Sequence, residues 1–441
     1  MTIQEYLTGK KILVFGIGRQ GGGLGDANYL ASNGYQVRAT DILSKDELGH
    51  DKSAYAPGLE LSLGGHLKSD IDWCDLIIKN PAVPDDHPLI QRAKSKGAEV
   101  YTSISLFVKY SPLKTIGITG TRGKTTTTTL IYKIMEAAYP GKVLLGGNIP
   151  GNSALSMFAE CEGKLYAVLE LSSFQLHSFH AQQVSPNYSV VTNLHPDHLN
   201  RYPDMHRYRY DKEALVRYQK PPGFTVYNTE NEGSVKIASV SPVTKYPYES
   251  KLASSYQTKL LGAHNQSNLS AAITLCTKLG IEDDVIRQAV ATFTGVAYRL
   301  EQIRTLRGVT FVNDTTATTP VAALTALSAI KGNIILICGG ESKKLPQTDL
   351  IKEIINNDHV KKIIFLGSLN LVDFTDALRR GCPDKIAGQA KSMSEAVSLA
   401  QSVSSVGDTI LLSPGFASFD LFKNEFDRGA QFNKAVLSLK S

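Results

Sequence analysis

From Ile116 to Thr129 the chain reads Ile-Gly-Ile-Thr-Gly-Thr-Arg-Gly-Lys-Thr-Thr-Thr-Thr-Thr: an apolar strand, a glycine turn and a helix start, in that order. Such a turn aims backbone N–H groups at a phosphate, and the new helix adds its positive end. Gly120 and Gly123 supply the tight turn, Thr121, Arg122 and Thr126 flank it, Lys124 can reach the terminal phosphates of a nucleotide, and the Thr125 hydroxyl is placed to ligate Mg2+. The usual phosphate loop carries a glycine five residues before Gly123; Ile118 stands there, so this loop is a shortened variant.

A second glycine turn, Gly16-Ile-Gly18-Arg19-Gln20-Gly21, follows the strand pattern Lys-Ile-Leu-Val-Phe, with Asp41 at the end of the next strand pattern. Alone it fits the dinucleotide fingerprint, and hence an NAD-dependent oxidoreductase. Gly22, Gly23 and Gly25 thin the first turn of the helix expected there and weaken that reading. A chain with both loops is expected to bind two nucleotides, one of them as a substrate handle.

Further residues fall where open α/β sheets gather ligands, at the ends of strand patterns. Glu170 ends one such pattern and suits a Mg2+ ligand or water organiser. Asn193-Leu-His-Pro-Asp-His198 ends another; His195 and His198 lie three apart in a proline-containing loop without a nearby cysteine, which favours His198 beside a second divalent ion over a zinc site. Lys212 sits in the basic, aromatic stretch 205–213, which by composition reads as a solvated helix face or a nucleic-acid patch. Asn268, in His-Asn-Gln-Ser-Asn, is expected just ahead of a helix, as a cap or a base ligand. Arg299, Asp314, Lys343 and Ser418 fall at a segment start or at strand-to-helix turns.

The elements that must position these residues read as three α/β segments in series: 1–112, 113–297 and 298–441. Each opens on an apolar strand pattern, and strands alternating with helix-length stretches imply parallel sheets. At 441 residues several domains are expected. A net charge of +6 with scattered basic residues calls for no nucleic-acid partner. Five cysteines, far apart and odd in number, suggest neither a disulfide framework nor a zinc site. No signal-like N-terminus and no run of 18 apolar residues is present, so a soluble cytoplasmic protein without membrane contact is expected.

Taken together, the motifs resemble the Mur ligases of peptidoglycan synthesis, and among them the MurD branch, over essentially the whole chain. The family's Gly-Thr-x-Gly-Lys-Thr-Thr loop stands at 120–126, Glu-Leu-Ser-Ser-Phe-Gln-Leu at 170–176, Asn-x-x-x-Asp-His-x-x-Arg-Tyr at 193–202, His-Asn-x-x-Asn at 264–268, and Leu-Ser-Pro-x-x-Ala-Ser-x-Asp-x-Phe-Lys at 412–423. The resemblance implies a Rossmann-like UDP-binding domain, a central ATPase-type domain with a mostly parallel sheet, and a C-terminal Rossmann-like domain. It also implies ATP and two Mg2+ sites, with UDP-N-acetylmuramoyl-L-alanine and an amino acid, D-glutamate favoured over L-glutamate, as substrates of a monomer. Lys124 would bind the β- and γ-phosphates, Thr125 and Glu170 one Mg2+, and His198 with a carbamylated Lys212 the other. Asn268, Arg299 and Asp314 would contact ATP. Asn148 would contact the muramoyl group, and Gly18, Arg19, Gln20 and Asp41 would bracket the UDP. Thr318, Lys343 and Ser418 would surround the amino acid, brought to the reaction by closure of the third domain. Three departures stand out: Arg122 where Asn or Lys is commoner, Thr316 where many MurD sequences carry Lys, and Glu425-Phe426 where the order aromatic-Glu is expected. Glu425 would repel a dicarboxylate unless it points away or Phe426 takes the aromatic's place.

Overall fold

In the computed structural model, three sheets follow one another along the chain; the residues described are 1–19, 21–149, 153–199, 201–260, 262–343, 345–367 and 371–440, with the Lys52 side chain left out. The first sheet holds β1 (Lys11–Phe15), β2 (Gln36–Asp41), β3 (Glu60–Leu63), β4 (Leu76–Lys79) and β5 (Glu99–Tyr101) in the order β3-β2-β1-β4-β5, all parallel. The second holds β6 (Lys114–Thr119), β7 (Val143–Gly147), β8 (Tyr166–Glu170), β9 (Tyr188–Val191), β10 (Phe224–Asn228) and β11 (Thr244–Tyr248) in the order β11-β10-β9-β6-β8-β7, again all parallel. The third holds β12 (Glu301–Leu306), β13 (Val309–Asn313), β14 (Ile334–Cys338), β15 (Val360–Leu366), β16 (Ile386–Ala390) and β17 (Thr409–Leu412) in the order β12-β13-β17-β14-β15-β16. Its edge strand β12 is antiparallel to β13. The three-domain α/β architecture expected from the sequence is therefore present.

Helices cover both faces of these sheets, so the central strands are buried on both sides and read as continuous apolar runs. β4, β9, β14 and β17 are buried at every position. Each fully buried Leu, Ile or Val side chain contributes about 1.5–3 kcal/mol relative to exposure.

The chain divides into two compact units: residues 1–257 with 266–291, and residues 258–265 with 292–441. Within the first unit the first two sheets share one apolar core, in which Ile104 and Phe107 meet Phe158, Leu176 and Phe179. Polar ties reinforce that junction. Gln182 Nε2 donates to the Val100 carbonyl at 2.8 Å, and the Thr102 and Ser178 hydroxyls lie 2.8 Å apart. The helix Gly22–Ser32 also belongs to it. Asp26 accepts from Ser153 Oγ at 2.7 Å and from the Leu155 N–H at 3.1 Å. A Cβ on Gly25 would lie 2.7 Å from Ser153 Cβ. The extra glycine that weakens the dinucleotide reading thus has a packing cause: it lets this helix approach the second sheet's domain. Within the second unit, apolar clusters line both faces of the third sheet, around Leu336 and Phe374 on one side and Ile337 and Phe432 on the other.

Candidate active site

β6, β8 and β9 are neighbours in the central sheet, so their carboxyl ends deliver three loops to one place. The loop after β6 turns into the helix Lys124–Ala138 through Gly123, whose φ of +79° suits glycine. A side chain there would also collide with the amide of Asn268. Lys124 Nζ folds back over its own loop and donates to the carbonyls of Gly120 and Thr121, both at 3.1 Å. The loop after β9 clamps the turn reciprocally: the Arg122 N–H donates to Asn193 Oδ1 at 2.9 Å, and Asn193 Nδ2 donates to the Arg122 carbonyl at 3.1 Å. The Thr121 hydroxyl accepts from the His195 N–H at 2.9 Å. The Arg122 side chain is exposed.

Glu170 closes β8 and is buried, with Oε1 accepting from Asn148 Nδ2 at 3.2 Å. The Asn148 N–H, just beyond β7, donates to the Glu170 carbonyl at 2.8 Å. His198 takes a left-handed conformation (φ +54°) in the loop after β9 and packs edge-on to Phe174 with centroids 5.1 Å apart. Burial, opposed by Asp197 and reinforced by Lys212, Lys124 and Arg201, lowers its pKa and so favours the neutral imidazole.

Lys212 overturns the solvated-face reading. It lies on the helix Met205–Arg217, is 1 % exposed, and donates from Nζ to the Gly120 carbonyl at 2.9 Å and to Thr119 Oγ1 at 3.4 Å. The Tyr208 ring lies 4.8 Å from the ammonium. Its basic neighbours Arg207 and Arg209 are matched one turn on by Asp211 and Glu213. Burial first, then Lys124, pushes the Lys212 pKa well below its ordinary value. Asn268 also departs from expectation. The helix starts at His264, so Asn268 stands inside it, where its Oδ1 lies 3.4 Å from Thr127 Oγ1 beside the Gly123 turn. Contact with the loop outweighs the weak helix preference of asparagine. Among the described residues no group of three or more His, Cys, Asp or Glu side chains is arranged to hold a metal ion.

In the first sheet, Gly18 and Arg19 follow β1; Gln20 lies outside the described residues. Asp41 turns its carboxylate into this loop, accepting from the Gly18 N–H at 2.8 Å and the Leu43 N–H at 2.9 Å. In the second unit Asp314 is buried beyond β13, accepting from Ser413 Oγ at 2.9 Å and the Leu300 N–H at 3.2 Å, and burial raises its pKa to about 7. Arg299 precedes that tie and acts on Asp314 electrostatically. Lys343 Nζ donates to Thr318 Oγ1 at 3.0 Å, and Ser418 is buried in the loop after β17.

Residues 10–102 match the Mur ligase MurD-like N-terminal domain, 118–254 the Mur ligase middle domain, and 298–416 the Mur ligase glutamate ligase domain. A protein of Roseiflexus sp. (strain RS-1) named UDP-N-acetylmuramoylalanine–D-glutamate ligase is 35% identical over 470 aligned residues, covering 98% of this chain and 99% of the relative. One of the same name from Clostridium tetani is 32% identical, covering 99% and 98%. The chain belongs to the Mur ligase family. Its fold is similar to that of the UDP-N-acetylmuramate-alanine ligase MurC from Thermotoga maritima, with a TM-score of 0.61, 21% identity, and 98% and 100% of the two chains covered. MurF from Acinetobacter baumannii gives 0.58 at 16% identity, covering 81% and 90%. Nothing in these matches supports the oxidoreductase alternative.

In this Mur ligase the exchanged pair Glu425-Phe426 opens the helix Glu425–Ser438. The Glu425 charge acts on Lys343 and on the fully buried Arg428, and Phe426 meets Tyr298 edge to face at 6.1 Å. Arg428 donates to Thr315 Oγ1 (3.0 Å) and to the carbonyls of Thr315 (2.9 Å) and Phe416 (3.2 Å), which ties the loops carrying Thr318 and Ser418. Sequence reasoning passed over Arg428, Asp26 and His177.

Among the described residues no helix is long and apolar enough to cross a membrane.

Proposed function

We propose that this Mur ligase couples ATP cleavage to joining D-glutamate to UDP-N-acetylmuramoyl-L-alanine, acting as a cytoplasmic monomer. The observation that carries this reading is the convergence of Lys124, Glu170, His198 and Lys212 at the carboxyl ends of β6, β8 and β9. The names of the relatives at 32–35% identity supply the substrates. The substrate carboxylate attacks the γ-phosphate, giving an acyl phosphate and ADP; the amine of the amino acid then attacks the activated carbonyl, and phosphate leaves through a tetrahedral intermediate. Lys124 swings from the Gly120 and Thr121 carbonyls to the β- and γ-phosphates, neutralising charge as it develops. The N–H groups of the turn and of the first helical turn hold the phosphates in line. Asn148 orients the muramoyl group, Gly18, Arg19, Gln20 and Asp41 hold the UDP, and Thr318, Lys343 and Ser418 hold the amino acid.

The donor set fits Mg2+, which keeps several waters and takes few protein ligands: the Thr125 hydroxyl and Glu170 carboxylate for one ion, the neutral His198 imidazole for a second. Lys212 fits the second ion only as its carbamate, and the downward shift of its pKa by burial works in the direction of the neutral amine that carbamate formation needs. Bound Mg2+ would neutralise phosphate charge during transfer.

The test is ADP release from Mg-ATP and UDP-N-acetylmuramoyl-L-alanine with D-glutamate, L-glutamate or no amino acid. Turnover with D-glutamate alone is expected. A second reading, a ligase for another amino acid such as L-glutamate, would be established by ADP release that rises with that amino acid and not with D-glutamate. The Glu425 charge acting on Lys343 opposes a second carboxylate of either hand, and so bears on a dicarboxylate as such rather than on its stereochemistry. No ADP under any condition would remove both.

A further inference from the structure

Loop 80–87 follows β4 and is built onto the N-terminal glycine loop: Asn80 Nδ2 donates to the Gly16 carbonyl at 3.3 Å and the Asn80 N–H to the Phe15 carbonyl at 2.8 Å. The buried Lys79 holds it from below, donating to the Val83 carbonyl at 2.7 Å and pairing with Asp85 at 2.9 Å. On the facing side, the helix Ser173–Gln182 presents His177, whose Nε2 lies 3.4 Å from Asp85 Oδ2. The same ring's Nδ1 lies 3.0 Å from Asp211 Oδ1, and Asp211 is 2 % exposed on the helix that carries Lys212. We propose that His177 is a positioning residue: as a doubly donating cation it bridges Asp85 and Asp211, fixing loop 80–87, which is built onto the N-terminal glycine loop, to the helix that carries Lys212.

Both ring nitrogens donate only in the protonated form, and that form is required to join two carboxylates. The two acids raise the His177 pKa to about 9 against the opposing effect of burial, so the ring is cationic at neutral pH. Without it the acids face each other across the junction, with Lys79 (2.9 Å from Asp85), Lys94 (3.7 Å from Asp85) and Arg207 (3.7 Å from Asp211 and 3.4 Å from the His177 Nδ1) as remaining cations. A second tie supports the same loop: Arg201 Nη1 donates to the Ala82 carbonyl at 3.0 Å while its guanidinium lies 4.7 Å from the Phe174 ring.

The proposal rests on the ligase reading for its effect on turnover, so the test has two arms on the full chain. In the first, hydrogen exchange without substrates is compared among wild type, His177→Gln and Asp85→Asn, a milder change at a partly exposed acid. Loss of protection in loop 80–87 and in the helix Met205–Arg217 together is expected in both variants. In the second, KM for the sugar nucleotide rises about tenfold in either variant, KM for ATP stays within about twofold, and the double variant is no worse than the worse single one. Multiplicative single effects, equal changes in both KM values, or unchanged exchange in loop 80–87 would each overturn the bridge. Absence of turnover in wild type would sink the ligase reading while the exchange arm still decides whether His177 joins the two elements.

Discussion

The two glycine loops of the first unit have the same local grammar and opposite chemistry. Each follows a buried parallel strand and enters a helix through a left-handed glycine without a side-chain cap, Gly21 at φ +84° and Gly123 at φ +79°. Around Gly123 the sheet order brings in Lys124, Glu170, His198 and Lys212, two lysines sharing the Gly120 carbonyl. Around Gly21 the nearby acid, Asp41, is turned inward onto loop N–H groups, Arg19 is exposed, and the helix that follows is used for packing against Ser153. Under the proposed function, a strand, a glycine turn and a helix offer a place for phosphate in both loops, and the neighbouring strands decide whether it is transferred there or held.

The sharpest contrast is between the two loop cations. Lys124→Ala should lower the rate of ADP release by about 10³-fold or more, because it removes charge stabilisation made in the transition state. Binding of the UDP-sugar, measured by titration calorimetry, should be unchanged. Arg19→Ala should do the reverse, raising KM for the sugar nucleotide several-fold at constant kcat, the signature of lost uniform binding. Equal kcat losses in the two variants would mean that the first loop also takes part in the chemistry.

The glycines give the second contrast. Gly123→Ala places a methyl group against Asn268 at positive φ, so ATP affinity should collapse while the first sheet stays folded. Gly25→Ala instead drives a methyl group into Ser153 at the domain junction and should cost about 1–3 kcal/mol of stability, read as a lower denaturant midpoint, with ATP affinity kept. A Gly25 variant that unfolds normally but loses ATP would break the distinction between packing and chemistry.

What could be read from the sequence follows the same division. The turn 120–125 was legible because its strand, glycines, lysine and helix are covalent neighbours. Glu170 and His198 are distant in the chain and are brought to neighbouring loops by the order β9-β6-β8; each was legible only as an acid or imidazole at the end of a strand pattern, and the strand order that makes them neighbours was not. Lys212 misled by composition, since its own stretch is basic and aromatic, yet the arginines there pair along the helix surface while the lysine faces inward. Asn268 was read one element too early because asparagine favours helix starts, and its contact at the turn overrides that preference. Asp26 and His177 were illegible because their partners, Ser153, Asp85 and Asp211, lie dozens to more than a hundred residues away.

The smallest expected effect separates packing from chemistry most finely. Asp26 is fully buried, and burial raises its pKa from 3.8 to about 6 despite the bonds from Ser153 and Leu155. A carboxylate whose folded pKa is raised contributes stability that is complete below pH 3.8 and lost as pH rises through about 6. Between pH 5 and pH 7 wild type should therefore lose on the order of 1 kcal/mol from this group, a shift of about 2–4 °C in Tm. Asp26→Asn can still accept from Ser153 and Leu155 but cannot ionise, so its melting temperature should gain on wild type by that amount over the same interval. ADP release at saturating substrates should follow the same pH curve in both proteins, since the acid grips the domain junction without touching phosphate. A parallel pair of melting curves would show that Asp26 does not titrate in this range; a changed pH curve for turnover would place the junction itself within the chemistry of the ATP loop.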